Sequence, residues 1–143
     1  VQGSGRMKAL TDAIWGKCTS ATDLYADIGG RLFKGRAPQG AEFPYVVFFV
    51  VSSVPEKTYT DDLENALVQF SLFSKTESIV EVEGMFSHLK ALYDECDLSV
   101  TGYSAIWMRR QNATLMSEEH VTPDGTVNVW HYAVDYEIFM STN

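Results

Sequence analysis

Two cysteines, four prolines and eleven basic residues are few for a chain of 143, and each shortage excludes something. Cys18 and Cys96 stand far apart, with no CxxC or Cys/His spacing. That argues against a disulfide framework or a zinc site, and two reduced cysteines in a core are expected. Eleven Lys and Arg against nineteen Asp and Glu leave a formal charge of −8. A general nucleic-acid binder needs clustered cations to meet phosphates, so that class is set aside. No apolar run is of membrane-spanning length, and no signal-peptide pattern is present, so no membrane partner and a cytoplasmic product are expected. The chemistry of catalysis is missing too. No serine or cysteine sits in a nucleophile elbow, and Gly29 to Gly35 (GGRLFKG) lacks the Lys-Ser/Thr ending of a phosphate loop. His88, His120 and His131 make no His/His or His/Glu pair at helical i, i+4 spacing, and His131 and Asp135 lie ~13 Å apart on an extended strand. Neither catalytic residues, nor a metal, nor a cofactor are expected.

What is present is a core. Apolar residues make up 45% and aromatics 13%, the balance of one folded domain. The opening VQGSGR reads as an expression-linker remnant, leaving residues 7–143 as a single α+β domain. The most apolar stretch, Tyr45 to Val51, is wholly β-branched or aromatic and reads as a central strand buried on both faces. Ahead of it, Leu10, Ile14 and Trp15 share a helical side. Ser20 or Thr22 can cap a short second turn that Gly29-Gly30 ends. Arg31 to Phe33 fits a short strand, and Gly35 to Pro44 a loop.

Val54 to Asp62 reads as an exposed hairpin loop, with Asp61, Asp62 and Glu64 as a solvated acidic cluster rather than a cation site. Asn65 to Phe73 alternates, with Ala66, Val68, Phe70 and Leu72 on one side. Ser78-x-x-Glu81 forms a candidate capping box for the main helix, whose stripe is Ile79, Val82, Phe86, Leu89, Tyr93 and Cys96. Gly84 inside it suggests close packing against a neighbour. Ala105 to Leu115 and Val127 to Met140 are paired as a long antiparallel hairpin, with Met116 to Gly125 as its connecting turn region. The sheet is therefore mostly antiparallel, packed by one main amphipathic helix and short N-terminal ones.

Five residues are candidates for an interface. Arg36 is either an anchor for a partner or a brace bonding loop carbonyls, and Pro38 follows it. Tyr59 stands in the polar VPEKTYTDD stretch. Arg109 and Arg110 offer fixed positive charge, either paired with acids at the core edge or held for a partner.

The order of these features resembles the tail-completion, or tail-to-head joining, family of long-tailed phages. The likeness runs from about Leu10 to Met140, and is sharpest in GRAPQG…FPYVVF (Gly35 to Phe48) and in the closing DYEIFM. Ser117 to Thr126 is a longer loop than that family leads one to expect. The resemblance implies a structural virion protein, not an enzyme, assembled in the host bacterial cytoplasm. It implies self-association, as a hexameric ring, at the head-proximal end of the tail tube. Its partners would be the tail-tube protein and a head-completion or connector protein, with DNA passing through unbound. The competing reading from the residues is a cytoplasmic α+β domain that binds a small molecule or peptide in a cleft under the main helix. Apolar patches on two opposite flanks would favour the ring, and one deep polar-lined pocket the ligand.

Overall fold

The computed structural model describes residues 2–20, 22–38, 40–57, 62–75, 77–96, 98, 100, 102–123 and 125–142, with backbone alone at 2–7, 53–57, 62–64, 105–106, 122 and 142. The elements run α1 (Gln2–Thr19), α2 (Asp23–Asp27), β1 (Leu32–Lys34), β2 (Tyr45–Lys57), β3 (Asp62–Ser74), α3 (Val80–Tyr93), β4 (Tyr103–Thr122) and β5 (Gly125–Thr142). The chain is an α+β protein: one five-stranded sheet, in the order β1-β2-β3-β5-β4, with the helices packed on one face. Only the β1–β2 pair is parallel.

The N-terminal helices form where the sequence places them, but α1, at 18 residues, is longer than the short helix expected and longer than α3 at 14. Leu10, Ile14 and Cys18 recur at steps of four and are buried. Thr22 caps α2, its hydroxyl accepting from the Tyr25 N–H at 3.2 Å, and Gly29 and Gly30 end it at positive φ. α1 begins at Gln2, ahead of Met7. On the sheet, Val46 and Phe48, then Ala66, Val68, Phe70 and Leu72, then Val134, Tyr136, Ile138 and Met140 face the helices and are buried. Val82, Met85, Phe86, Leu89 and Tyr93 meet them from α3. Tyr93 joins three layers: its ring lies 4.9 Å from Phe70, and its hydroxyl donates to the Ile14 carbonyl of α1 at 2.8 Å. Burial drives its phenol pKa far above the ordinary value, and burial likewise pushes the Cys18 thiol up to about 11. Both cysteines are free thiols, but only Cys18 is buried in the core as expected, and Cys96 is half-buried against it.

Five expectations are corrected, four of them outside the C-terminal hairpin. β2 is not the central strand. β1 flanks it for three residues only, from Val46 to Phe48, and β3 is the strand with neighbours along its length. Beyond Phe48 one edge of β2 is open, and Phe49 and Val51 are 41% and 47% exposed instead of buried on a second face. Pro55 is tolerated there because the strand needs no ladder N–H on its open side. Second, the loop expected at Val54 to Asp62 is largely strand: β2 continues to Lys57 and β3 starts at Asp62. Asp61 lies outside the described residues, as do the side chains of Asp62 and Glu64. Third, Ser78 and Glu81 form no capping box. The Ser78 hydroxyl accepts from the Val80 N–H, while Glu81 accepts from the Ser74 hydroxyl at 2.6 Å. A β3 partner thus outcompetes the local one. Fourth, Gly84 has no close neighbour, since a methyl built there meets nothing within 4 Å.

The largest departure is at the C-terminal hairpin. Met116 to Thr122 is strand, paired with Gly125 to His131, so the long loop expected at Ser117 to Thr126 shrinks to a tight turn closed by Thr122 and Gly125. Because β3 ends opposite Trp130, residues Gly125 to Val129 pair with β4 alone. The hairpin therefore runs roughly 17 Å past its neighbour at the usual rise.

Candidate interface surfaces

Three surface regions carry the polar residues that the core does not use. The first is the open edge of β4. Arg109 Nε donates to Glu95 at 3.2 Å and its guanidinium lies over Trp107, which is itself stacked on Phe139. Arg110 pairs with Asp94 at 3.3 Å and covers Phe86. Asp94 in turn accepts from the Tyr136 hydroxyl, and burial followed by that bond raises the Tyr136 phenol well above its ordinary value. Both arginines are therefore engaged with acids at the C-terminal end of α3, the first of the two roles considered for them.

The second region is the loop between β1 and β2. Arg31, not Arg36, braces it: Arg31 Nε donates to the Pro44 carbonyl at 3.0 Å and Nη2 to that of Phe43 at 3.3 Å, with Glu42 at 3.8 Å. Nothing in the sequence distinguished the two arginines, because the carbonyls they compete for are placed by the loop's own fold. Arg36 is exposed, and its guanidinium meets no partner among the described residues. Pro38 is exposed on the wall of a groove of ≈ 520 Å³, opposite His120, Val121 and Pro123 of the hairpin. Tyr59 lies outside the described residues.

The third region was missed in the sequence. Glu118 accepts from His120 Nε2 at 3.0 Å and from His131 Nδ1 at 2.8 Å. His131 is stacked on Phe73 at 4.3 Å, and the His120 ring lies 5.5 Å from Phe73 and 6.1 Å from Phe43. Burial works to raise the Glu118 carboxyl, but the hydrogen bonds from His131 and then His120 outweigh it and leave the group below its ordinary value. His131 and Glu118 are thirteen positions apart. Only the pairing of β4 with β5 brings them together, and no i, i+4 search finds such a pair. The cluster ties the base of the hairpin to β3 and to the loop. It has the character of a clamp, and the described residues hold no group of three metal-ligating side chains.

The space beneath α3, where a ligand cleft was considered, is filled by Phe70, Tyr93, Phe86 and Tyr136. The grooves lie instead at the surface. One, of ≈ 530 Å³, is lined by Lys75, Glu77, Ser117 and Trp130. A smaller one, of ≈ 330 Å³, runs from Gly35, Arg36 and Ala37 to Val47, Phe49 and Phe73 beside the open edge of β2.

Against known families, residues 12–141 match the model described as "Tail completion protein gp17". The chain belongs to this tail completion family. The match spans the loop, the main helix and the C-terminal hairpin, and makes this a structural protein of a phage tail. No curated protein sequence matches the chain. Among solved structures, a chain from the "Virion of native gene transfer agent (GTA) particle" has the same fold: its TM-score is 0.76 at 10% identity, covering 95% of this chain and 97% of that one. At so low an identity the shared property is the fold.

Proposed function

We propose that this tail completion protein closes the head-proximal end of the tail tube as a ring of identical subunits, six in number, and offers the head connector its docking surface. The observation that carries this reading is the sheet's two open edges. Among the described residues β2 has no strand partner on one side beyond Phe48, and at the far side of the same sheet β5 is the only strand partner of β4, whose outer edge is otherwise met by the Glu95 N–H on the Met108 carbonyl. Strand directions along β2-β3-β5-β4 alternate throughout. The outer edge of one copy therefore meets the outer edge of the next in antiparallel sense, without a turn or inversion. Head-to-tail addition of that kind closes into a ring when the rotation from copy to copy completes a full turn, and grows into a filament when it does not. Open strand edges otherwise promote uncontrolled pairing, so a subunit that keeps two of them has a use for them.

The charge fits a DNA conduit. A lumen that binds phosphate would retard the passing genome, and a chain at −8 with Glu118, Asp135 and Glu137 near the sheet face opposite the helices does not. The tail-tube protein and a head-completion protein are the partners of the two ring faces.

The test is absolute mass in solution by size exclusion with light scattering, over a range of concentration and salt, followed by mixing with tail tubes. A mass near six subunits of 16.0 kDa, or binding confined to one end of the tubes, is the expected result. A tight two-fold dimer overturns it, because a closed pair uses the surfaces a ring needs.

A further inference from the structure

Among the described residues the cations are almost all spoken for within the chain, and the exception points outward. Lys8 and Lys34 share Asp12, Arg31 holds the loop carbonyls, Lys75 and Lys90 sit over Phe43 and Phe86, and Arg109 and Arg110 pair with Glu95 and Asp94. Lys17 is engaged as well. Arg36 is the one lysine or arginine whose side chain is described and meets no partner among the described residues. It is not isolated on a neutral surface. Gly35 N–H bonds the Phe48 carbonyl at 2.8 Å, which sets Arg36 at the point where β1 stops and the open edge of β2 begins. The exposed rings and branches of Phe49 and Val51 continue that edge.

One acid of the opposite edge has the complementary condition. On β4, Glu118 is held by two histidines, whereas Glu119 is exposed and finds no partner among the described residues. Two residues on, Val121 is 89% exposed near the hairpin's end. An unpaired cation with exposed apolar residues on one edge thus faces, in an alternating sheet, an unpaired carboxylate with an exposed valine on the other.

We infer that the occupant of the β2 edge is the β4 strand of a second copy of this chain, with Glu119 of that copy meeting Arg36. The inference rests on the ring reading above and names the contact within it. Arg suits the role because its planar fork accepts a carboxylate with two parallel hydrogen bonds while stacking beside an aromatic ring. The backbone of the two edges supplies the remaining hydrogen bonds, and the charge pair selects this pairing over a β2–β2 or β4–β4 contact, which brings like charges together.

The experiment uses the full chain. An equimolar mixture of ordinary and nitrogen-15-labelled R36K protein is treated with a zero-length carbodiimide at high concentration and with tail tubes, then digested and read by mass spectrometry. The expected product is a Lys–Glu isopeptide between positions 36 and 119 joining one labelled and one unlabelled peptide. Alongside, R36E and E119R are each expected to weaken self-association roughly tenfold and the double variant to restore most of it. Circular dichroism and melting of each variant show that it folds. If larger species form but the 36–119 link is absent or joins peptides of one label only, or if R36E assembles normally, this contact is wrong and the ring reading stands. If nothing larger than a monomer forms, free or on tubes, the ring reading falls and the contact with it.

Discussion

Gly84→Ala tests the description of α3 most directly, because the sequence and the structure disagree about it. A glycine four residues into a helix costs backbone entropy, and close packing is the usual compensation. Here none is visible: a β-carbon at position 84 meets nothing within 4 Å, and no positive φ is recorded there. The substitution therefore adds no clash and little burial, and its effect reduces to the helix propensity difference, about 0.5–1 kcal/mol in favour of alanine. For a domain of this size that corresponds to a rise in Tm of about 2–4 °C. Urea unfolding of the monomer, followed by fluorescence and by circular dichroism, measures it. Gly30 is the internal control. It holds φ +81 with the Tyr25 hydroxyl 3.4 Å from a would-be β-carbon, so Gly30→Ala should destabilise by about 1 kcal/mol or more. A fall in stability for Gly84→Ala refutes the reasoning about α3. Monomer stabilised as expected but assembly lost would place a partner against that face of the helix.

Tyr93→Phe removes the hydroxyl bond to Ile14 that ties α3 to α1, and a loss of about 1 kcal/mol by urea titration is expected. Arg31→Met should cost about 1–2 kcal/mol and speed amide exchange through the β1–β2 loop, whereas Arg36→Met should change stability by less than about 0.5 kcal/mol. Equal effects would contradict the assignment of the brace to Arg31. Because the Glu118 carboxyl is depressed when folded, its hold on the hairpin is complete above the ordinary value of 4.5 and is lost as pH falls through the depressed one. Amide exchange at residues 118–131 should accelerate over that acidic range in the natural protein, and Glu118→Gln should be fast at neutral pH with the acid step removed.

Elements whose signals are local were legible in the sequence. The period-two run from Ala66 to Leu72, the stripe of α3 and the Gly29-Gly30 stop report the environment of one segment, so alternation and spacing suffice to find them. The alternation of Val127 to Met140 was legible for the same reason, whereas the two register shifts in its pairing with β4 were not. Other decisions belong to distance through space. Whether Phe49 and Val51 are covered depends on what packs on their face of the sheet, and the helices lie on the other one. Whether Met116 to Thr122 is loop or strand depends on the partner strand, since a polar, mixed stretch such as SEEHVT has little preference until β5 offers its backbone. The choice of Arg31 over Arg36 as brace, and the meeting of Glu118 with two histidines, follow from side chains whose separation in sequence carries no information about their separation in the fold. The sequence alone thus determined an α+β chain with an amphipathic helix beside alternating strands. Tertiary structure alone decided which edges stay open and which charges stay unpaired, because both depend on what the rest of the fold brings alongside them.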